Sequence, residues 1–291
     1  MKFLYKFFRG FCWLLALLPL RCLYAVSDLL FVIVCYVVRY RRKVVMNNLR
    51  NSFPEKTEKE RRQIARKFYL FMCDLFIETL KLSNIDRAQI CRRIKYSNPE
   101  VFDELYREGK KIFFVTGHYG NWEWLATLEG SIPYHHATLY RPLKNKLFDR
   151  FFYDMRTKYG TDAIPADMVL GAINQYQYEK RLTTLCFLSD QSPPRNASNY
   201  WTTFLNQETA VYTGIEVLAR RYNAAVMYYE VRRVRRGYYE VDVTPITADA
   251  RQTDKMEITE KHVRLLEETI RRNPQYWLWS HRRWKHKRIE N

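Results

Sequence analysis

Short apolar runs alternate with helical stretches along most of this chain, and this alternation limits its fold more than any other feature. The predicted strands cover residues 112–116, 137–140, 182–188, 224–231 and 238–243. The predicted helices cover residues 58–82, 121–129, 144–159, 166–179, 209–221 and 259–272. Strands that alternate with helices of this length form a mostly parallel sheet covered by helices on both faces. We therefore expect an α/β protein.

The size and composition of the chain agree with a folded protein of this class. Of its 291 residues 47% are hydrophobic, and Gly and Pro are few, which excludes a disordered or fibrous protein. Its six cysteines include no Cys-x-x-Cys pair, so nothing indicates zinc or a redox dithiol, and a reducing compartment is the simplest interpretation. We predict a helical membrane-anchoring segment at 1–45 and one enzymatic domain at 46–291.

Two apolar stretches near the amino terminus, residues 11–20 and 29–38, carry the anchor prediction. Each is about half of the ~20 residues that a bilayer span needs. As one unit they would bury Arg21 and Asp28 in hydrocarbon, at roughly 2.5–3.5 kcal/mol each. An interfacial or re-entrant helix therefore fits better than a clean span, with the basic run 39–43 at anionic head groups. A cleaved signal peptide and a buried core helix remain the alternatives.

Positive charge is in excess and unevenly placed. The formal net charge is +18, and basic residues concentrate in residues 1–50, 271–291 and 232–236. Such clusters favour an anionic partner, namely phospholipid, a phosphorylated substrate, an acidic protein or nucleic acid, although each can also be a solvated face. No zinc-finger or basic-zipper pattern supports the nucleic-acid alternative.

Polar residues follow three of the predicted strands at the point where each strand ends. These are His118, Arg141 and Asp190. Active sites in parallel α/β folds lie beyond the carboxyl ends of the strands, so we expect the three side chains to face one cleft. For Asp190, a helix cap or loop turn is an equally good interpretation.

The segment from Gly117 to Glu123 places a histidine, two glycines and a carboxylate in one strand-to-helix turn. On a regular helix His118 and Glu123 would diverge by about 140°, so it is the turn that can bring them together. Glu123 would then accept from one ring nitrogen and leave the other basic, with an ordinary pKa of ~6.5. The alternative is a histidine bonded for stability alone. Asn121 is a candidate substrate ligand or a helix cap that sets the angle of Glu123.

Gly117-His-Tyr-Gly-Asn-Trp-Glu123 resembles the His-x4-acid motif of glycerolipid-type acyltransferases, and in particular the lipid A late acyltransferases, the lauroyl and myristoyl transferases of Gram-negative bacteria. Four further segments resemble that branch in order and spacing: Tyr140-Arg141-Pro142, Ser189-Asp190-Gln191, Thr213-Gly214 with Leu218-Ala219-Arg220-Arg221, and Pro274-x-x-Tyr276 through Trp284. The likeness covers nearly the whole chain.

The resemblance implies transfer of a fatty acyl chain from acyl carrier protein to a hydroxyl of a phosphorylated lipid A precursor, at the cytoplasmic face of the inner membrane. His118 would be the general base and Glu123 its orienting partner. Arg141 would bind phosphate or position the donor, and Asp190 would support Arg141 or contact the sugar. No metal or cofactor is expected. A lysophospholipid, glycolipid or aminolipid acceptor is the alternative within enzymes, and a non-enzymatic basic membrane protein is the alternative outside them.

Overall fold

The computed structural model describes residues 2–194 and 200–288, and the side chains from residue 5 onward. Among these residues a seven-stranded sheet runs in the order β1-β9-β8-β2-β5-β3-β4, and β6 and β7 form a separate hairpin. The strands are β1 Ile94–Tyr96, β2 Ile112–Thr116, β3 His135–Tyr140, β4 Asp162–Pro165, β5 Thr183–Leu188, β6 Tyr200–Phe204, β7 Gln207–Val211, β8 Ala225–Arg235 and β9 Tyr238–Thr247. All neighbours in the large sheet are parallel except β8 and β9. The predicted mostly parallel α/β sheet is confirmed.

Helices cover both faces of this sheet. They are α1 Lys2–Leu17, α2 Leu20–Val32, α3 Arg42–Ser52, α4 Glu58–Leu82, α5 Arg87–Cys91, α6 Glu100–Arg107, α7 Lys146–Thr157, α8 Val169–Tyr178, α9 Gly214–Tyr222 and α10 Glu257–Arg272. The longest, α4, begins with a capping box, in which the Glu60 backbone N–H donates to Thr57 Oγ1 and the Thr57 N–H donates to the Glu60 carboxylate. The start of α4 is thus encoded locally.

The core lies on both sides of the sheet, as β2 shows. All five residues of β2 are buried, and its side chains alternate between two apolar clusters. Phe113 and Val115 face one cluster, whereas Ile112 and Phe114 face the other. A strand buried on both faces has a continuous apolar sequence, which is why β2 is evident from the sequence.

One predicted helix is wrong, that over residues 209–221. Its first part is strand β7, paired antiparallel with β6, and α9 begins only at Gly214. Leu205 and Asn206 connect the two strands with φ of +49° and +61°, the backbone of a two-residue type I′ hairpin turn. A leucine is unusual at such a position, so the turn carries no clear sequence signal. The segment predicted as a helix at 121–129 is a 3-10 helix, Trp122–Leu128.

The amino-terminal helices pack on α4 through one face only. In α2 the buried residues recur at helical spacing, Leu20, Leu23, Ser27 and Phe31, and they contact the rest of the protein. The opposite face of α1, α2 and the π-helical turn Ile33–Val37 exposes a continuous series of large apolar side chains. By length and composition alone, Leu20–Val37 is long and apolar enough to cross a bilayer, and 28% of it is buried in the protein. A core helix of a soluble protein would be mostly buried, which this stretch is not.

Candidate active site

Adjacent parallel strands bring His118 and Asp190 to the same edge of the sheet. Thr116 at the end of β2 lies beside Leu188 at the end of β5, and the Ser189 N–H donates to the Thr116 carbonyl at 3.0 Å. The loops that follow these two strands therefore leave the sheet side by side. Of the three residues predicted to converge, the structure brings His118 and Asp190 together. Arg141 leaves the same edge from β3, which pairs with β5, but its side chain is exposed.

The His118 side chain is held on both ring nitrogens. Nδ1 lies 2.6 Å from Asp190 Oδ1, and the His118 backbone N–H donates to Asp190 Oδ2 at 2.9 Å. Nε2 lies 3.3 Å from the amide nitrogen of Gln191, which is exposed. An ionised Asp190 accepts the Nδ1 proton, so the neutral ring has its lone pair on Nε2, the nitrogen nearer solvent. With 15% of its side chain exposed, His118 is buried except at this edge.

Asp190 is arranged to stay ionised. Burial alone would raise the pKa of Asp190, but the His118 charge, two hydrogen bonds from His118 and one from Trp277 Nε1 at 2.7 Å outweigh it and lower the pKa to about 2. A permanent carboxylate on Nδ1 fixes the tautomer and the direction of the imidazole. The structure thus gives Asp190 a different contact from the predicted ones, Arg141 or a sugar, and it is not a helix cap.

The second carboxylate, Glu123, contacts a different partner from the expected one. Arg156 on α7 donates to both of its oxygens, Nε to Oε2 at 2.9 Å and Nη2 to Oε1 at 2.6 Å. The carboxylate that bonds the imidazole is therefore Asp190 and not the predicted Glu123. Burial alone would raise the pKa of Glu123, but the Arg156 charge outweighs this effect and holds the pKa below its ordinary value. Glu123 contributes a fixed negative charge close to His118, whose ring also contacts Trp122 edge to face at 5.0 Å.

Asn121 caps the 3-10 helix that carries Glu123. Its Oδ1 accepts from the Trp124 N–H at 3.3 Å, and its Nδ2 donates to Glu78 Oε2 at 2.7 Å, deep in the core. The side chain is fully buried, which agrees with the capping interpretation and leaves no surface for a substrate. Glu78 also accepts from the Tyr239 and Tyr24 hydroxyls, and through Tyr24 it reaches α2.

Gly120 makes the turn between His118 and Glu123 possible. Its φ is +59°, a backbone conformation that residues other than glycine rarely adopt. A Cβ built at Gly120 would lie 2.1 Å from the Val231 carbonyl oxygen of β8, so the backbone passes directly against the sheet. The sequence signal of two glycines around the histidine therefore has a steric cause.

The basic cluster at residues 232–236 is largely neutralised inside the protein. Arg233 and Arg236 both bind the buried carboxylate of Asp74, and Arg236 also binds Asp28 on α2. Arg232 pairs with Glu240 and Asp242 on the neighbouring strand. Arg232, Arg233 and Arg236 are thus paired within the protein, and Arg233 and Arg236 join α2, α4 and the β8–β9 hairpin to one another.

The other two basic clusters meet on one surface. The Arg41 guanidinium donates to the Ser280 carbonyl at 3.1 Å, and Asn48 Nδ2 donates to the carbonyls of Trp279 and His281. We call the resulting exposed surface the basic rim; it consists of Arg39, Arg41, Arg42, Lys43, Arg282 and Lys285. Within residues 2–194 and 200–288 none of these six pairs with a carboxylate, and residues 289–291 at the end of the carboxyl-terminal cluster lie outside the described part. The rim lies close to the site, since Ser192, which follows Gln191, donates to the Arg282 carbonyl.

Several contacts of the site were missed by the sequence analysis. Arg156 and Glu78 lie in ordinary helical contexts, whereas Gln191 belongs to the segment Ser189-Asp190-Gln191 but was assigned no role. Trp277 and Trp279, in the last resembling segment, are both buried. A groove of about 660 Å³ lies between β9 and α10, and its lining includes none of the residues around His118. No group of three or more His, Cys, Asp or Glu in the described part of the chain is arranged to hold a metal ion.

A parallel α/β sheet with a carboxylate-paired histidine at its carboxyl edge is an enzyme architecture, and comparison with known proteins defines the reaction class. The chain is 23% identical over 280 residues to the lipid A biosynthesis palmitoleoyltransferase of Escherichia coli K12, and 23% identical over 277 residues to the lipid A biosynthesis lauroyltransferase of the same strain. Both alignments cover 95% of this chain and 89% of the relative. A lipid A biosynthesis acyltransferase of Shigella flexneri matches to the same extent as the first.

The model of the bacterial lipid A biosynthesis acyltransferase family matches residues 2–286. The chain therefore belongs to this family and is an acyltransferase, as its motifs indicated.

Proposed function

We propose that the protein transfers a fatty acyl chain from acyl carrier protein to a hydroxyl of a lipid A precursor, with His118 as the general base. The observation that carries this proposal is the pairing of His118 Nδ1 with a carboxylate whose pKa is about 2. That pairing places the lone pair of the ring on Nε2, at the exposed edge of the site. An imidazole with its lone pair at the exposed edge can act as a general base.

His118 is sufficient to account for every proton transferred in this reaction. Nε2 of His118 takes the proton of the acceptor hydroxyl while the oxygen of that hydroxyl attacks the thioester carbonyl carbon. The carbonyl electron pair moves to oxygen, and the tetrahedral intermediate then expels the thiolate, which takes the proton back from Nε2. No acyl-enzyme forms, and neither a metal nor a cofactor is required for the balance.

Glu123 and Asn121 are assigned supporting roles. The Glu123 charge, fixed by Arg156, favours the imidazolium that forms during attack. Asn121 caps the helix that carries Glu123 and fixes its position. Arg141, exposed at the carboxyl end of β3, is assigned to a phosphate of the acceptor or of the donor arm, since a guanidinium matches phosphate oxygens in bidentate geometry.

The donor assignment is supported by the basic rim. One of its six exposed cations, Arg282, adjoins the loop of Gln191 through Ser192, and none of the six has a carboxylate partner in the described part of the chain. Acyl carrier protein is acidic, so the rim offers it complementary charge close to the site. The exposed apolar face of α1 and α2 would lie in the cytoplasmic face of the inner membrane, where the acceptor is found.

The chemical assignment is tested with purified protein, acyl carrier protein charged with radiolabelled fatty acid, and a lipid A precursor. We expect His118→Ala to lower the transfer rate by ~10²–10⁴-fold without loss of folding. Mass spectrometry of the product identifies the acceptor and separates lipid A precursors from lysophospholipid, glycolipid or aminolipid acceptors. Full activity in His118→Ala would contradict the mechanism.

The donor surface is tested by charge reversal. Arg42→Glu combined with Arg282→Glu should raise the KM for the acyl carrier protein substrate, with the detergent-solubilised acceptor held saturating. Arg107→Glu, on exposed α6, is the matched control. If the KM is unchanged while binding to anionic vesicles weakens, the rim contacts lipid head groups instead.

A further inference from the structure

The Gln191 side chain contacts the reacting nitrogen of His118, and nothing so far gives it a function. Its amide nitrogen lies 3.3 Å from His118 Nε2. Because the Nδ1 proton points to Asp190, Nε2 can only accept in the neutral ring, and so the contacting group of Gln191 must be its NH2. A donor therefore occupies the position that the acceptor hydroxyl has to take before it can give up its proton.

Three backbone donors around His118 are already engaged. The His118 N–H donates to Asp190 Oδ2, the Tyr119 N–H to the Gly117 carbonyl at 2.7 Å, and the Gly120 N–H to the Tyr276 carbonyl at 3.1 Å. The N–H groups of His118, Tyr119 and Gly120 cannot form an oxyanion hole without breaking contacts that hold the turn. The negative charge that develops on the thioester oxygen needs a donor from elsewhere.

We propose that Gln191 is a catalytic residue whose side-chain amide stabilises the thioester oxyanion, after the acceptor hydroxyl has displaced it from His118 Nε2. This inference rests on the proposed function of His118.

The geometry allows both positions of the amide. An attacking oxygen bonded to Nε2 lies within about 3 Å of the nitrogen, and the thioester carbon lies at about 3–3.5 Å from that oxygen before attack. The carbonyl oxygen on that carbon is then one short side-chain movement from the resting position of the Gln191 amide. Gln191 is exposed and its side chain has two N–H donors, so it can turn from one acceptor to the other.

Removal of the amide tests the proposal. We expect Gln191→Ala to lower kcat by ~10²–10³-fold, the cost of one oxyanion-hole donor, with little change in either KM. If Gln191 only blocks the base in the resting state, Gln191→Ala should raise kcat or leave it unchanged, and that result would overturn the proposal. Gln177→Ala, an exposed glutamine on α8, is the matched control and should retain full activity.

A second variant tests the position of Gln191 without relying on the loss of kcat in Gln191→Ala. Gln191→Glu keeps the shape, removes both donors and places a carboxylate beside Nε2. The acidic limb of the kcat/KM profile should then move to higher pH by ~1 unit, since a nearby negative charge favours the imidazolium, and kcat at the plateau should fall as in Gln191→Ala. An unshifted limb would show that the side chain is not at Nε2 and would also overturn the proposal.

His118→Ala, assayed under the same conditions, distinguishes a failure of the role of Gln191 from a failure of the mechanism assigned to His118. If His118→Ala is inactive and Gln191→Ala is fully active, the proposed function stands and the role of Gln191 is wrong. If His118→Ala is active, the chemistry assigned to His118 fails, and with it this role.

Discussion

Glu123 and Arg156 form a bidentate ion pair between the 3-10 helix after β2 and helix α7, with nitrogen–oxygen distances of 2.6 and 2.9 Å. Both carboxylate oxygens accept from Arg156, whereas the hydrogen-bond contacts of the His118 ring in the described part of the chain go to Asp190 and Gln191. Arg156 also lies over the ring of Tyr140, at 5.7 Å from its centre, which connects the pair to the end of β3 and hence to Arg141.

The first prediction concerns this pair. Arg156→Met should destabilise the fold by about 3 kcal/mol, because it leaves the buried Glu123 carboxylate without its partner. In the double variant Glu123→Gln with Arg156→Met much of that stability should return, but transfer activity should not. Denaturant unfolding of the two single variants and the double variant, with kcat measured in parallel, gives the coupling energy. Equal stability of all four proteins would contradict a close pair.

The second prediction concerns the orientation of the imidazole. Asp190→Asn keeps the size of the side chain, but its amide can donate to Nδ1 and so favour the tautomer with the proton on Nε2. We expect kcat to fall by ~10²–10⁴-fold, because the nitrogen facing the acceptor no longer has its lone pair. Circular dichroism should show an unchanged fold. Steady-state kinetics with KM near the wild-type value would support an effect on chemistry, whereas a rise in KM alone would favour a role in binding.

The convergence of His118 and Asp190 was predictable because it depends on strand order alone. Two adjacent parallel strands place the residues after their ends side by side, whatever the detail of packing. The partner of Glu123 was not predictable in the same way, since Arg156 is 33 residues away and reaches it only because α7 packs against that turn. The five-residue spacing of the motif favoured the nearer but incorrect partner.

The basic clusters show the same limit on what can be predicted from the sequence. Residues 232–236 are as basic in sequence as the two terminal clusters, but Asp74 and Asp28 neutralise much of their charge. Both acids lie in apolar helical patterns and gave no sign of a distant partner. Whether a cluster is exposed depends on contacts between distant segments, and those contacts follow from the fold and not from composition.

The third prediction concerns the buried carboxylate under the site. Glu78 accepts hydrogen bonds from Asn121, Tyr24 and Tyr239, and so joins the active-site turn to α2. Glu78→Ala leaves these donors without a partner and should cost about 3 kcal/mol or more, at ~1–3 kcal/mol for each buried group. Glu78→Gln should cost much less because both tyrosine hydroxyls can also accept from its amide. Thermal unfolding of the two variants tests this order, and equal losses would contradict the network.

The fourth prediction concerns the pH dependence of stability. Burial lowers the pKa of His262 from its ordinary 6.5 to about 4, because the charged ring would be desolvated on α10. Burial likewise lowers the pKa of His136 to about 3. The unfolded state then binds more protons than the native state below pH 6.5, so stability is fully present above pH 6.5 and is lost as pH falls toward 4.

The pH effect of His262 is separable by substitution. His262→Asn keeps a donor for the Ile258 carbonyl, which lies 3.2 Å from Nδ1, and removes the titration. The variant should lose stability less steeply than the wild type between pH 6.5 and 4 in urea unfolding experiments. An unchanged slope would show that His262 is accessible to protons in the native state.

The last prediction concerns the exposed apolar face of α1 and α2. Phe11, Leu14 and Leu29 are 54%, 61% and 62% exposed, whereas the opposite face packs on α4 through Ser27 and its contact with Asp74. A helix held to the protein along its length by buried polar contacts can lie in the interface with its outer face in the lipid. Replacing the three exposed residues by serine removes roughly 1.5–3 kcal/mol of apolar transfer energy each and should release the protein from phospholipid vesicles in sedimentation. Val217→Ser with Tyr178→Ser, two exposed apolar residues on α9 and α8, is the matched control and should sediment as the wild type. Sedimentation unaffected by the triple substitution would show that this face does not contact lipid.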